Sequence, residues 1–185
     1  MKTLTLMFSL LILTCSMETT PNRQISIPAV GWKFEVPNEI LFTDSAFNKE
    51  GKLTKEIPHD GSSLRLLVIK SDKGSFAAYI QNDTLSAKKW KDYHDKDTKW
   101  YFSEMRQLPK LEILNTKYSN KKIGNVDFFV QYAKYIKRNT NDTGYTYHYF
   151  GKLKNKSMDI SFEYYDKQLG KSYLDILNSS RFPNR

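Results

Sequence analysis

Over much of the chain, apolar and polar side chains alternate one for one, the signature of strands that bury a single face. Trp32, Phe34 and Val36 alternate with Lys33 and Glu35. Pro37, which has no N–H to give to a ladder, ends that run. With Gln24 to Ile27 before it and Pro28-Ala29-Val30-Gly31 between, the segment predicts two short strands about a turn. Ser63 to Lys70 is almost continuously apolar, and Ser71-Asp72-Lys73-Gly74 is a turn signal. Phe76, Ala78 and Ile80 then share a face of Ser75 to Gln81, which predicts a hairpin closed by a four-residue loop. Further on, Leu111, Ile113 and Asn115 face one way within Lys110 to Thr116, and Asn120 to Asn125 reads as a turn. Val126 to Lys137 is the clearest strand in the chain. Asn139 to Gly144 is a run of turn-formers. Tyr145 to Gly151 and Met158 to Tyr165 predict another hairpin around Lys152 to Lys156.

Two segments change period. Thr84 to Gln107 carries Leu85, Trp90, Tyr93, Trp100 and Met105 among Lys and Asp, an amphipathic helix with an interruption expected near Asp95 to Thr98. Asp166 is placed to cap a second helix, in which Leu169, Tyr173, Ile176 and Leu177 form one stripe. Phe182, just before Pro183, is expected to plug the core. Asn38 to Ile57 is mixed, irregular or briefly helical. Hairpin connections make the sheet mainly antiparallel, and two apolar helix stripes must cover it. The fold class is therefore α+β, in one domain.

The order of elements resembles the Mog1/PsbP-like fold, an α/β/α sandwich with an antiparallel sheet between helices. The likeness is carried by the opening hairpin with Trp32-Lys33-Phe34-Glu35-Val36-Pro37, by Leu111-Glu112-Ile113-Leu114 through Gly124 to Phe128-Phe129, and by Met158 to Tyr165 running into a last helix that ends Ser179-Ser180-Arg181-Phe182. Members of that fold serve photosystem assembly, nuclear transport and envelope roles. The resemblance therefore implies an architecture and no catalytic residue.

The first residues follow a different logic. Met1-Lys2 is a short positive region, and Leu4 to Leu13 is apolar but for Thr5 and Ser9. As a helix this run covers about 15 Å, against the ~30 Å of a bilayer's hydrocarbon core, so it suits a secretory signal rather than a span. Ile12-Leu13-Thr14-Cys15 places the sole cysteine directly after it and resembles the lipobox of bacterial lipoproteins. Thr14 stands where Gly, Ala or Ser is usual, a relaxation found in lipoproteins of Bacteroidetes-type bacteria. The resemblance implies a signal peptide over 1–14, lipidation at Cys15, a tether over 15–23 and a globular domain over 24–185. Two or more acyl chains, at about 0.8 kcal/mol per buried CH₂, hold essentially permanently. The expected location is then the bacterial cell envelope, at the outer membrane, with the body in the periplasm or at the cell surface.

Composition narrows the chemistry. The chain has 185 residues, 39% hydrophobic and 26% charged, which excludes a disordered tail, a collagen-like fibre and a multi-span membrane protein. One cysteine excludes an internal disulfide and a cysteine-cluster zinc site. Asp92-Tyr93-His94-Asp95-Lys96-Asp97 is the densest set of metal-type ligands, but its lysines and helical spacing favour a solvated helix face. His59, beside Pro58 and Asp60, reads as part of a turn, and His148 as a sheet-surface or hydrogen-bonded residue. No nucleophile, phosphate-loop or zinc-hydrolase motif is present, and no cofactor, metal or nucleic-acid partner is expected. The net charge of +9, with lysines at 88–91, 121–122, 134–138 and 152–156, suits either a solubilising surface or attraction to anionic lipid or polysaccharide. The Tyr-rich strands could line a groove for carbohydrate or an envelope protein, but Tyr also fits half-buried strand positions. The expectation is a non-enzymatic binding or accessory module. The alternative is a small enzyme whose site is assembled around His59 or His148.

Overall fold

The structure, a computed structural model, describes residues 22–40, 57–60 and 63–183, with the backbone alone for 57–60. The signal segment, Cys15 and all of the tether before Asn22 lie outside the described residues, as does most of the mixed segment after Ile40.

Among the described residues, nine strands and two helices are arranged in three layers. β1 (Arg23–Ile27) and β2 (Trp32–Val36) pair antiparallel about a single 3₁₀ turn. Gly31 leaves that turn at φ 64°, a left-handed conformation that glycine adopts without strain. The main sheet is formed by β3 (Ile57–Asp60), β4 (Ser63–Ser71), β5 (Gly74–Asn82), β6 (Leu111–Ile123), β7 (Val126–Lys137), β8 (Asp142–Leu153) and β9 (Lys156–Tyr164). Its seven strands run in the order β3-β4-β5-β9-β8-β7-β6, each antiparallel to its neighbour. Because β9 inserts between β5 and β8, the link from β5 to β6 must travel to the far edge of the sheet. α1 (Ala87–Gln107) makes that journey across one face. α2 (Lys167–Ser179) and the β1–β2 hairpin cover the other.

The α2 face holds the main core. Phe76, Phe128, Ile160 and Phe162 from the sheet meet Trp32 and Phe34 from β2 and Tyr173, Ile176 and Leu177 from α2. Asp166 caps α2 by accepting from the Leu169 N–H at 2.8 Å, as its sequence position predicts. Trp32 is completely buried and gives its indole N–H to the Ser180 hydroxyl at 2.9 Å. Lys33 and Arg181 exchange backbone hydrogen bonds of 2.9 and 2.7 Å, which fixes the chain after α2 against β2. Phe182 stacks on Trp32 with ring centroids 6.1 Å apart and plugs the core where expected.

Four details differ from the sequence expectations. The β4–β5 turn has two residues, Asp72 and Lys73, because Ser71 and Gly74 already pair across the ladder. β6 continues through Asn120 to Lys122, which pair with β7, so the turn shrinks to Gly124-Asn125. Lys117 and Lys122 stand exposed along β6, an edge strand, where charge discourages edge-to-edge association. α1 is continuous through Asp95 to Thr98. Thr98 stabilises that middle turn: its hydroxyl donates to the His94 carbonyl at 2.7 Å and accepts from the buried Gln131 amide on β7, also at 2.7 Å. The side of α1 that packs on the sheet also differs. Trp90, His94, Thr98, Phe102 and Met105 are buried, whereas Leu85, Tyr93 and Trp100 are exposed.

Candidate functional site

Strand alternation puts apolar residues on the α2 side of the sheet and polar ones under α1. On β9, Met158, Ile160 and Phe162 enter the main core, so Asp159, Ser161 and Glu163 face α1. Register aligns Asp159 with Phe150 on β8 and with Tyr79 on β5, and aligns Ser161 with His148. The C-terminal half of α1 closes down on this face through Phe102 and Met105, which pack on Ala133 and Tyr135. Toward its N-terminal half it leaves a cavity of about 370 Å³ whose wall includes Tyr79, Tyr93, His94, Asp97, Phe150 and Asp159.

Two polar groups in that wall are unusual. His94 is only 7% exposed, and its ring stacks on Phe150 at 4.4 Å and leans on Trp90 at 4.3 Å. Its Nδ1 is sealed from solvent without a hydrogen-bond partner. Burial lowers the His94 pKa, against the raising pull of Asp97, Asp83 and Asp95, so the ring is neutral at pH 7. Asp159 Oδ1 is likewise sealed and unpartnered. Burial first, and the Asp97 charge second, push this carboxyl up to about 7. The reading of the 92–97 segment as a solvated face therefore fails for two of its members. Lys91 and Asp95 do form an exposed pair at 2.6 Å, but His94 turns inward and Asp97 borders the cavity. The missed signal was spacing: Trp90, His94, Thr98, Phe102 and Met105 recur at helical intervals, and two polar members hid the stripe.

His148 lies in a neighbouring depression with Tyr101, Thr146 and Glu163. Its Nε2 is 3.2 Å from the Tyr101 hydroxyl, which agrees with a hydrogen-bonded sheet histidine. Burial lowers its pKa to about 4. Glu163 accepts from the hydroxyls of both Tyr135 and Tyr165, binding β7 to β9 at the other end of the same face. His59 sits on β3, a strand and not the turn expected; its side chain lies outside the described residues. The structure brings His94, Asp97 and Asp159 to one cavity and leaves His148 in another. Among the described residues, no group of three or more His, Cys, Asp or Glu side chains could hold a metal, and no helix is long and apolar enough to cross a membrane.

The tyrosines of the Tyr-rich strands do not share one surface. Tyr145, Tyr147 and Tyr164 stack with Phe162 on the α2 side, with Tyr145–Tyr164 centroids 5.0 Å apart. Tyr135 and Tyr165 are on the α1 side. The lysines are dispersed: Lys152 pairs with Asp83 at 2.9 Å, and Lys137 lies 3.8 Å from the Tyr165 ring centre.

No protein-family model matches the chain, and no curated protein matches it in sequence. Solved structures do. The chain is similar to the cyanobacterial PsbP protein CyanoP of Synechocystis, with a TM-score of 0.53 and 10% identity over 93% of this chain and 99% of that one. The fold is PsbP-like. A crystal structure from Bacteroides thetaiotaomicron is also similar, with a TM-score of 0.50 and 10% identity over 90% of this chain. The chain spans 50% of the length of that protein. Identities this low establish a shared α/β/α architecture, as the order of elements in the sequence implied, and nothing about ligand or activity.

Proposed function

We propose that the chain is a lipid-anchored protein of the bacterial envelope whose PsbP-like domain works as a non-enzymatic binding or accessory module, held to the membrane through Cys15. The observation that carries the binding role is the cavity under α1. A helix that covers a sheet normally seals it with apolar contacts, but here half of the helix roofs an open chamber with buried, unpartnered polar groups. The anchor rests on the apolar run Leu4 to Leu13 ending at the sole cysteine. An envelope protein or polysaccharide is the partner class this placement favours.

The test of the anchor is metabolic labelling with a palmitate analogue and membrane fractionation of wild type and Cys15→Ala. Label on the wild type only, with release of the variant from membranes, supports it. A bare thiol or an uncut leader refutes it. Affinity capture from the envelope then identifies the partner. One observation favours a second reading, catalysis: Asp159 titrates near neutrality inside a cleft, where a general acid or base operates best. His148 is the weaker member of that reading, because it lines a separate depression.

A further inference from the structure

The cavity under α1 is acidic in a protein that is strongly basic. The chain carries 29 Lys and Arg against 20 Asp and Glu, yet among the described residues no Lys or Arg contributes to the cavity wall, while Asp97 and Asp159 both do. Other aspartates nearby are neutralised, Asp95 by Lys91 at 2.6 Å and Asp83 by Lys152 at 2.9 Å. Asp97 and Asp159 have no cationic partner among the described residues. The same wall holds His94, more than nine-tenths buried, with a sealed and unpartnered Nδ1. A neutral imidazole nitrogen and a carboxylate oxygen can both accept a hydrogen bond. Both side chains line the chamber, where the donors of a ligand would meet their remaining polar atoms. The remaining walls include the rings of Tyr79, Tyr93 and Phe150, whose faces attract positive charge.

We infer that this cavity binds a small organic cation, a primary ammonium with a short apolar tail, through Asp159, Asp97 and His94. This deepens the binding-module reading and rests on it. An ammonium supplies several N–H donors at once and the charge that two uncompensated carboxylates lack. A volume of about 370 Å³ is at the small end of ligand pockets. An anion would meet two carboxylates and no counter-charge.

The experiment titrates the full chain at pH 8 with n-butylammonium, n-butanol and butyrate, by calorimetry or by amide chemical shifts. The expected result is saturable binding of n-butylammonium, with n-butanol weaker by about tenfold or more and butyrate unbound. Asp159→Asn, which keeps the side-chain shape, is expected to weaken n-butylammonium by about tenfold or more, and Asp97→Asn to weaken it by a smaller factor. Thermal unfolding checks that both variants fold. Equal affinity for n-butanol and n-butylammonium overturns the inference, as does undiminished binding in both variants. Failure to bind any amine, in a chain that still labels at Cys15 and captures a partner, removes the ligand class and leaves the module standing. Amine binding by a chain that carries no lipid removes the anchor alone.

Discussion

Two groups on the α1 face of the sheet give stability opposite dependences on pH, and substitution separates them. Asp159 has its carboxyl raised from 3.8 to about 7, mainly by burial. Its contribution to stability is fully present below pH 3.8 and is lost as pH rises through 7, because the unfolded chain ionises first. At about 1.4 kcal/mol per pH unit, a displacement of about three units sets a ceiling of ~4 kcal/mol. His148 is lowered from 6.5 to about 4, also mainly by burial. Its contribution is present above pH 6.5 and is lost as pH falls through 4, with a ceiling of about 3 kcal/mol. His94, lowered for the same reason, adds to the His148 side. The two trends oppose each other between pH 4 and 7. The assay is urea unfolding of wild type, Asp159→Asn and His148→Gln at intervals from pH 4 to 8. Asp159→Asn is expected to be the more stable protein at pH 8, by about 1–4 kcal/mol, and to converge on wild type at pH 4. His148→Gln is expected to move the other way, gaining on wild type as pH falls from 6.5 to 4. A difference from wild type that does not change with pH, for either variant, refutes the burial argument for that residue. An Asp159→Asn protein less stable than wild type at pH 8 refutes it outright.

Two further substitutions test the packing. Gly170→Ala places a methyl in an α-helix, where Ala is normally favoured by about 1 kcal/mol. Here the new carbon falls 2.3 Å from the Tyr164 ring, so thermal unfolding is expected to show a net loss of about 1–3 kcal/mol. Thr98→Val removes the hydroxyl that accepts from Gln131 and strands a buried amide; a loss of about 1–3 kcal/mol and faster hydrogen exchange in the middle of α1 are the expected readouts.

The α2 half of the molecule was legible because its residues obey one rule. Trp32, Phe34 and Val36, or Met158, Ile160, Phe162 and Tyr164, are apolar and buried together, and the stripe of α2 closes over them. Even the Asp166 cap and the Phe182 plug follow from residue type and position. The α1 half was legible only as a helix. Its buried stripe contains His94 and Thr98, so a reading by hydrophobicity chose Tyr93 and Trp100 instead, and both are exposed. The β6–β7 turn was placed too early because Asn120, Lys121 and Lys122 are turn-formers or charged. Pairing with β7 on one side and water on the other suits them equally well as an edge strand.

The candidate site was hidden for a related reason. Asp159, Ser161 and Glu163 alternate with core residues and so read as the solvent side of a half-buried strand. Whether that side meets water depends on where the β5–β6 connection runs, and this follows from β9 pairing with β5, a contact between segments far apart in sequence, such as Ala78 and Ile160. Once that pairing exists, α1 must cross the face on its way to the far edge, and it encloses side chains that no local pattern marks as buried. Apolar replacements at 94 and 159 would remove the cost of two orphaned polar atoms, His94 Nδ1 and Asp159 Oδ1. Their presence keeps the chamber open and polar at the expense of stability, which is the arrangement a binding site requires and a purely structural layer does not.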